Sequence, residues 1–177
     1  MRTIKLVLQY DGSNYAGWQV QENAVTVQGL LSKALAIILR EDVRVPGASR
    51  TDSGVHALYQ VAAFRTDNDI PLDRLKRSLN GILPSDIRVM ETMETVESFV
   101  PRFAQKKTYR YAFACGDVLS PFQQRFVWHV HERLDLEAMQ LAAKSLVGEH
   151  DFSSFVAAGG AEKEPVRTIF SLTFGRG

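Results

Sequence analysis

Apolar residues change spacing along the first half of the chain, and that change of period constrains the fold more than any other feature. Ile4, Leu6 and Leu8 stand two apart within 3–9, the pattern of a strand with one buried face. Thr26 then reads as a helix N-cap, and Val27, Leu30, Leu31, Ala34 and Ile38 fall three and four apart. Residues 42–45 and 58–64 read as strands. Pro71 suits the first turn of a helix with Leu72, Leu75 and Leu79 on one face and Asn80-Gly81 at its end. A further strand follows at 87–93. The order is β-α-β-β-α-β, a ferredoxin-like split unit. Short, right-handed connections place both helices on one face of an antiparallel sheet. The opposite face is then left to be covered or used for binding.

The second part begins in a similar way. Strands are expected at 107–114 and 125–130. Asp135 reads as the cap of a helix carrying Leu136, Met139, Ala143 and Leu146, closed by Gly148, and a last strand is expected at 166–174. The expected class is therefore α+β, with a ferredoxin-like half at 1–100 and a similar but incomplete half at 101–177. The second half stops short of a full repeat, so one sheet edge lacks its neighbour and the sequence reads as cut short.

Composition narrows the function mainly by exclusion. Unbroken apolar runs, such as 36–39, are far too short to span a bilayer, and the start MRTIKLVLQYDGS lacks the pattern of a signal peptide. The lone Cys115 rules out an internal disulfide and a cysteine zinc site. These features point to the cytoplasm. Histidines 56, 129, 131 and 150 are scattered and predict no metal site. Glycines 12, 17, 29, 47 and 54 form no phosphate-loop or dinucleotide fingerprint, so no nucleotide cofactor is expected. Net charge is +1 and names no partner. Its distribution says more: between 101 and 113 stand Arg102, Lys106, Lys107 and Arg110 with no acid, interleaved with Phe103, Tyr109, Tyr111 and Phe113. Such a stretch is either an RNA-binding strand, with cations for phosphates and rings for bases, or an amphipathic strand with its rings in the core.

The stretch ASRTDSGVHALYQ, at 48–60, combines a turn with chemistry. In extended backbone, residues two apart point to one side, so Arg50 and Asp52 face one cleft. Gly54 lets the chain reverse close to a ligand or another segment. A carboxylate beside a cation stays ionised and serves as nucleophile, general base or electrostatic stabiliser. The structural alternative has Asp52 capping the turn, Arg50 in a salt bridge and His56 packed quietly.

The sequence from Arg50 to Ala57, RTDSGVHA, closely resembles the active-site motif of the tRNA pseudouridine synthase A family, with Ser53 where alanine is more usual. The resemblance extends to Tyr10-Asp11-Gly12 with Tyr15, Gly17, Trp18 and Gln19, and to Thr26-Val27-Gln28. It continues through Asn80, Leu83-Pro84 and Asp86-Ile87, then Arg102-Phe103 and Lys107-Thr108-Tyr109-Arg110-Tyr111. Gly148-Glu149, Asp151-Phe152, Ser154-Phe155, Pro165 and Arg167 complete it, in order from residue 4 onward.

That resemblance implies isomerisation of uridine to pseudouridine in the anticodon arm of tRNA, at uridines 38, 39 and 40. It makes Asp52 the catalytic carboxylate and Tyr109 the ring stacked on the target base, with Tyr111 the neighbour most easily confused with it. Arg50 then holds the duplex open after base extrusion, which costs a few kcal/mol. Phe99, Arg102, Phe103, Lys107 and Arg110 meet the RNA, and 159–163 is a lesser candidate for the same task. His56 supports the turn. The implied partners are tRNA and a second copy of the chain, with no metal or cofactor. A further strand and helix, whose arginine pairs with the catalytic aspartate, are also implied past 172–175, so competence of this chain alone is left open. The competing reading is a non-catalytic RNA-binding module on the same fold.

Overall fold

The computed structural model describes residues 1–156 and 164–176. The chain divides into two compact units, Met1–Tyr109 and Arg110–Gly177. The first contains β1 (Arg2–Tyr10), α1 (Val27–Leu39), β2 (Ala57–Thr66), α2 (Leu72–Ile82) and β3 (Ile87–Thr95). Its three strands form a sheet in the order β2-β1-β3, antiparallel throughout.

The expected periods are the ones that pack. Ile4, Leu6 and Leu8 of β1 are fully buried, as are Val27, Leu31 and Leu35 of α1 and Leu75 and Leu79 of α2. All belong to one core cluster, which puts both helices on one face of the sheet. Thr26 caps α1 by accepting from the Gly29 N–H (3.3 Å). Asn80, near the end of α2, both donates to the Val89 carbonyl (2.9 Å) and accepts its N–H (2.8 Å), pinning that helix to β3. The helix runs one residue past Gly81.

The strand expected at 42–45 does not form. Val45 turns its buried side chain into the core, and its carbonyl accepts from the Gln28 side-chain amide (2.9 Å) instead of a strand. Pro46 has no N–H to give to a ladder. What remains is a single bridge between Gly47 and Ala62, flanked by Ala48 N–H to Val61 O (2.8 Å) and Ala63 N–H to Pro46 O (3.2 Å).

The opposite face of the sheet is partly covered from within the unit. Val7 and Ala63 on that face are buried, and so is Pro101. The Lys5 ammonium lies 5.8 Å from the Phe99 ring centre, and Arg65 donates to the Glu97 carbonyl (2.8 Å).

The second unit carries β4 (Phe113–Cys115), β5 (Trp128–Val130), α3 (Leu136–Ala143), β6 (Gly148–Asp151) and β7 (Val166–Ile169). Asp135 caps α3 as expected, through the N–H groups of Glu137 and Ala138, both at 3.0 Å. The strands are shorter than their sequence runs: 107–112 joins none, and 170–174 continues none. β4 and β5 pair in parallel, which departs from the antiparallel expectation, whereas β6 and β7 are antiparallel. Gly148, read as closing α3, instead opens β6 with φ of 112°. Apolar burial accounts for the shortening. Among the described residues of this unit only Ala143 counts as buried, and Phe122 and Trp128 stay exposed. No helix among the described residues is long and apolar enough to cross a membrane.

Leu6 sits on the central strand with both helices above it. Truncating it to Ala should cost about 2–5 kcal/mol, the usual range for a fully buried leucine. A fall in the urea midpoint of the first unit, followed by fluorescence of the buried Trp18, measures it.

Candidate active site

The 50–56 loop is held by backbone, against the segment that follows β1. Trp18 N–H donates to the Thr51 carbonyl (3.0 Å), and Gly54 N–H donates to the Tyr15 carbonyl (3.2 Å). The Ser53 hydroxyl donates to that same carbonyl at 3.3 Å. Val55 N–H returns to the Asp52 carbonyl (3.2 Å), closing a turn with Gly54 at φ 78°. That is the sign a type II turn requires at its third residue, and it favours glycine.

Two glycines make the contact possible. A Cβ at Gly12 would fall 2.0 Å from the Val55 carbonyl oxygen, and one at Gly17 would fall 2.5 Å from the Thr51 oxygen. No side chain fits at either place, so the two loops lie backbone against backbone.

Side chains then lock the pair. The Tyr10 hydroxyl and the Thr51 hydroxyl share a hydrogen bond of 2.8 Å. His56 Nδ1 lies 3.2 Å from the Gly12 N–H and 3.0 Å from an Asp11 carboxylate oxygen. Asp11 also caps the following turn through the Ser13 N–H (3.0 Å) and hydroxyl (2.6 Å). Tyr15 donates to the Asp86 carboxylate, and Asp86 in turn accepts the Asp11 N–H at its backbone oxygen (2.9 Å). Burial raises the Tyr15 phenol well above its ordinary value, and the neighbouring Asp86 raises it further. Burial also raises Tyr10, against the opposing effect of its bonds to Thr51 and Gln60.

On this rigid support Arg50 and Asp52 both project to solvent. Among the described residues, no hydrogen bond or ion pair engages the Asp52 carboxylate or the Arg50 guanidinium. An exposed carboxylate on a fixed turn is free to meet a ligand as nucleophile or base.

The remaining sequence-stated residues stand as follows. Phe99 is half-buried beside Lys5, the buried Pro101 begins a short 3-10 turn, and Arg102 and Phe103 are exposed on that turn. Lys107 and Tyr109 are exposed at the end of the first unit. Arg110 opens the second unit and is exposed there. No described hydrogen bond or ring contact joins Tyr109 to Asp52. The 159–163 stretch lies outside the described residues. Among the described residues no group of three or more His, Cys, Asp or Glu side chains stands together as a metal site. Sequence reasoning gave no role to Tyr10, Asp11, Tyr15 or Asp86, although these build the support. The signal was present in the two glycines spaced between aromatic residues.

The family model described as tRNA pseudouridine synthase matches residues 6–103 and 142–176. A protein named tRNA pseudouridine synthase A from Thermoanaerobacter sp. (strain X514) is 45% identical over 174 residues, covering 98% of this chain and 71% of the relative. Its namesake from Geobacter sulfurreducens is 48% identical over 170 residues, with coverage of 96% and 70%. That of Acetivibrio thermocellus is 45% identical over 177 residues, with coverage of 99% and 72%.

The raised phenols fix a pH dependence. Their unfolded values sit near 10.0, so in the unfolded chain they ionise first. Their support of the fold is intact below that pH and is lost as pH rises above it. Unfolding free energy should therefore fall above about pH 10, and Tyr15→Phe should make that fall shallower. Urea titrations at neutral and alkaline pH read the difference.

Proposed function

This chain belongs to the tRNA pseudouridine synthase family, and we propose that it isomerises uridine to pseudouridine in the anticodon arm of tRNA, at positions 38, 39 and 40. The observation that supports this reading is an exposed arginine and an exposed aspartate two residues apart on a loop whose backbone is fixed by neighbouring backbone. The reaction breaks the bond from N1 to the ribose C1′ and forms one from C5 to the same carbon. The proton on C5 is lost and N1 gains one. Atoms and electrons balance without an oxidant or reductant, so the reaction calls for no redox cofactor.

In this reading Asp52 is the reacting carboxylate, acting as nucleophile or in activating the ribose. The uridine must first leave the helical stack, at a cost of a few kcal/mol. Arg50, two residues from Asp52, takes the space left in the duplex and offers charge to the adjacent phosphates. Tyr109 is the ring that stacks on the extruded base. Arg102 and Lys107, with Arg110, supply phosphate contacts, and Phe103, which is 80% exposed, is available for stacking. Phe99 flanks Arg102 and meets the RNA beside it.

We further propose that 1–100 is the catalytic half, in a ferredoxin-like arrangement where 46–48 takes the place of the missing strand beside β2. Residues 101–177 then form the second α+β half. The working form is a cytoplasmic homodimer engaging one tRNA. A non-catalytic RNA-binding module of the same fold is the competing reading, and activity separates the two.

Asp52→Asn should reduce pseudouridine formation by roughly 10⁴-fold or more, as loss of a reacting group does, while tRNA affinity persists. Mass-spectrometric or chemical detection of pseudouridine in an anticodon-arm substrate measures this. Equal tRNA binding with no pseudouridine from either protein would instead favour the module.

Phosphate contacts have their own signature. Arg102→Ala or Lys107→Ala should weaken tRNA binding and lower the slope of log affinity against log salt by about 1 each. Filter binding across a salt series provides the slope.

A further inference from the structure

His56 lies four residues past Asp52, and its ring is 30% exposed beside Asp11 at 23%. We propose that Asp11 and His56 form a positioning pair that sets where the Asp52 carboxylate stands. The inference rests on the reading of Asp52 as the reacting group and adds two residues that act through it.

Three geometric facts connect the pair to the turn. His56 Nδ1 faces two partners at once, the Gly12 N–H at 3.2 Å and the Asp11 carboxylate at 3.0 Å. That nitrogen accepts from Gly12 only when it carries no proton, and donates to Asp11 only when it does. One contact excludes the other, yet either keeps His56 tied to the Asp11-Gly12 corner. Next, Gly12 abuts the Val55 carbonyl so closely that a Cβ would lie 2.0 Å from its oxygen. Movement of the corner therefore pushes directly on Val55. Finally, Val55 N–H is bonded to the Asp52 carbonyl and Gly54 N–H to the Tyr15 carbonyl, both at 3.2 Å. The displacement passes to Asp52 within one turn.

Neither residue needs to touch substrate for this to matter. An attacking group misplaced by about 1 Å can cost on the order of 100-fold in rate. The corner is also fastened at its far side, because Asp11 caps the turn through Ser13 and its N–H is held by the Asp86 carbonyl (2.9 Å). Asp11 is thus the fixed end and His56 the arm that transmits its position to the loop.

The test compares His56→Ala with His56→Asn, whose side-chain amide offers an acceptor and a donor near the place of Nδ1. Asp11→Ala is the second route to the same loss. Amide hydrogen exchange at Gly54 and Val55 should accelerate on the order of tenfold in His56→Ala, as expected for loss of one supporting hydrogen bond. Single-turnover pseudouridine formation on an anticodon-arm RNA should fall on the order of 100-fold, with RNA affinity unchanged. His56→Asn should restore both readouts toward the parent values. Unchanged exchange at Gly54 and Val55 in both alanine variants would overturn the proposal. So would a loss confined to RNA affinity, or an Asn variant no better than Ala. If the parent protein makes no pseudouridine, the functional reading fails, and the exchange measurements still decide whether the pair positions the turn.

Discussion

Two places where no side chain fits govern how the 50–56 loop is held. At Gly12 and Gly17 the segment after β1 meets the 50–56 loop backbone to backbone, with the facing carbonyls of Val55 and Thr51 where a Cβ would have to be. Contact at that range lets main-chain groups bond directly, as Trp18 does to Thr51 and Gly54 to Tyr15. Main-chain bonds position a loop more tightly than long side chains, because few rotatable bonds intervene. Asp52 and Arg50 remain exposed without being loosely held.

The core explains why the supporting segment is itself rigid. β1 delivers Ile4, Leu6, Leu8 and then Tyr10 to one buried face, and Trp18 re-enters the interior at 1% exposure. Between those two anchors the chain has little freedom, and Tyr15 with Asp86 fastens its middle to the start of β3. Gln28 adds a tie from α1, accepting the Val20 N–H (3.0 Å) and donating to Val45. A buried polar side chain of this kind is stable only when its bonding groups are satisfied, and both ends of this amide are. The 50–56 loop thus inherits its position from the central strand, a helix terminus and a sheet edge together.

How much of this could be read in advance differs by region. β1, α1, α2 and β3 follow apolar periods that the tertiary structure does not override, and Thr26 and Asp135 cap the helices assigned to them. The strand expected at 42–45 failed because Val45 spends its carbonyl on Gln28 and Pro46 has no donor. In the second unit, alternating rings and cations suggested a strand at 107–114, but no buried row gives that alternation a face to pack on. β6 was missed since GEHD carries no apolar alternation; its pairing with β7 comes from position alone. The turn carrying Arg50 and Asp52 was legible from its spacing, and His56 as its support, whereas the identity of the distant supports was not.

The sequence by itself determined the order and period of the elements in the first unit, and the motif that places a cation and a carboxylate at one turn. Both are local properties: periodicity, caps and residue spacing act within a few positions. Tertiary structure alone decided that Tyr10, Asp11, Tyr15 and Asp86 hold that turn, that Phe99 lies beside Lys5 in place of an open surface, and that 46–48 makes one bridge where a strand was expected. These depend on contacts between residues about 15 to 95 positions apart, such as Gly47 with Ala62, Gly12 with Val55 and Tyr15 with Asp86. Spacing along a chain carries no record of which distant backbone will arrive within 3 Å, because packing of the whole core selects it.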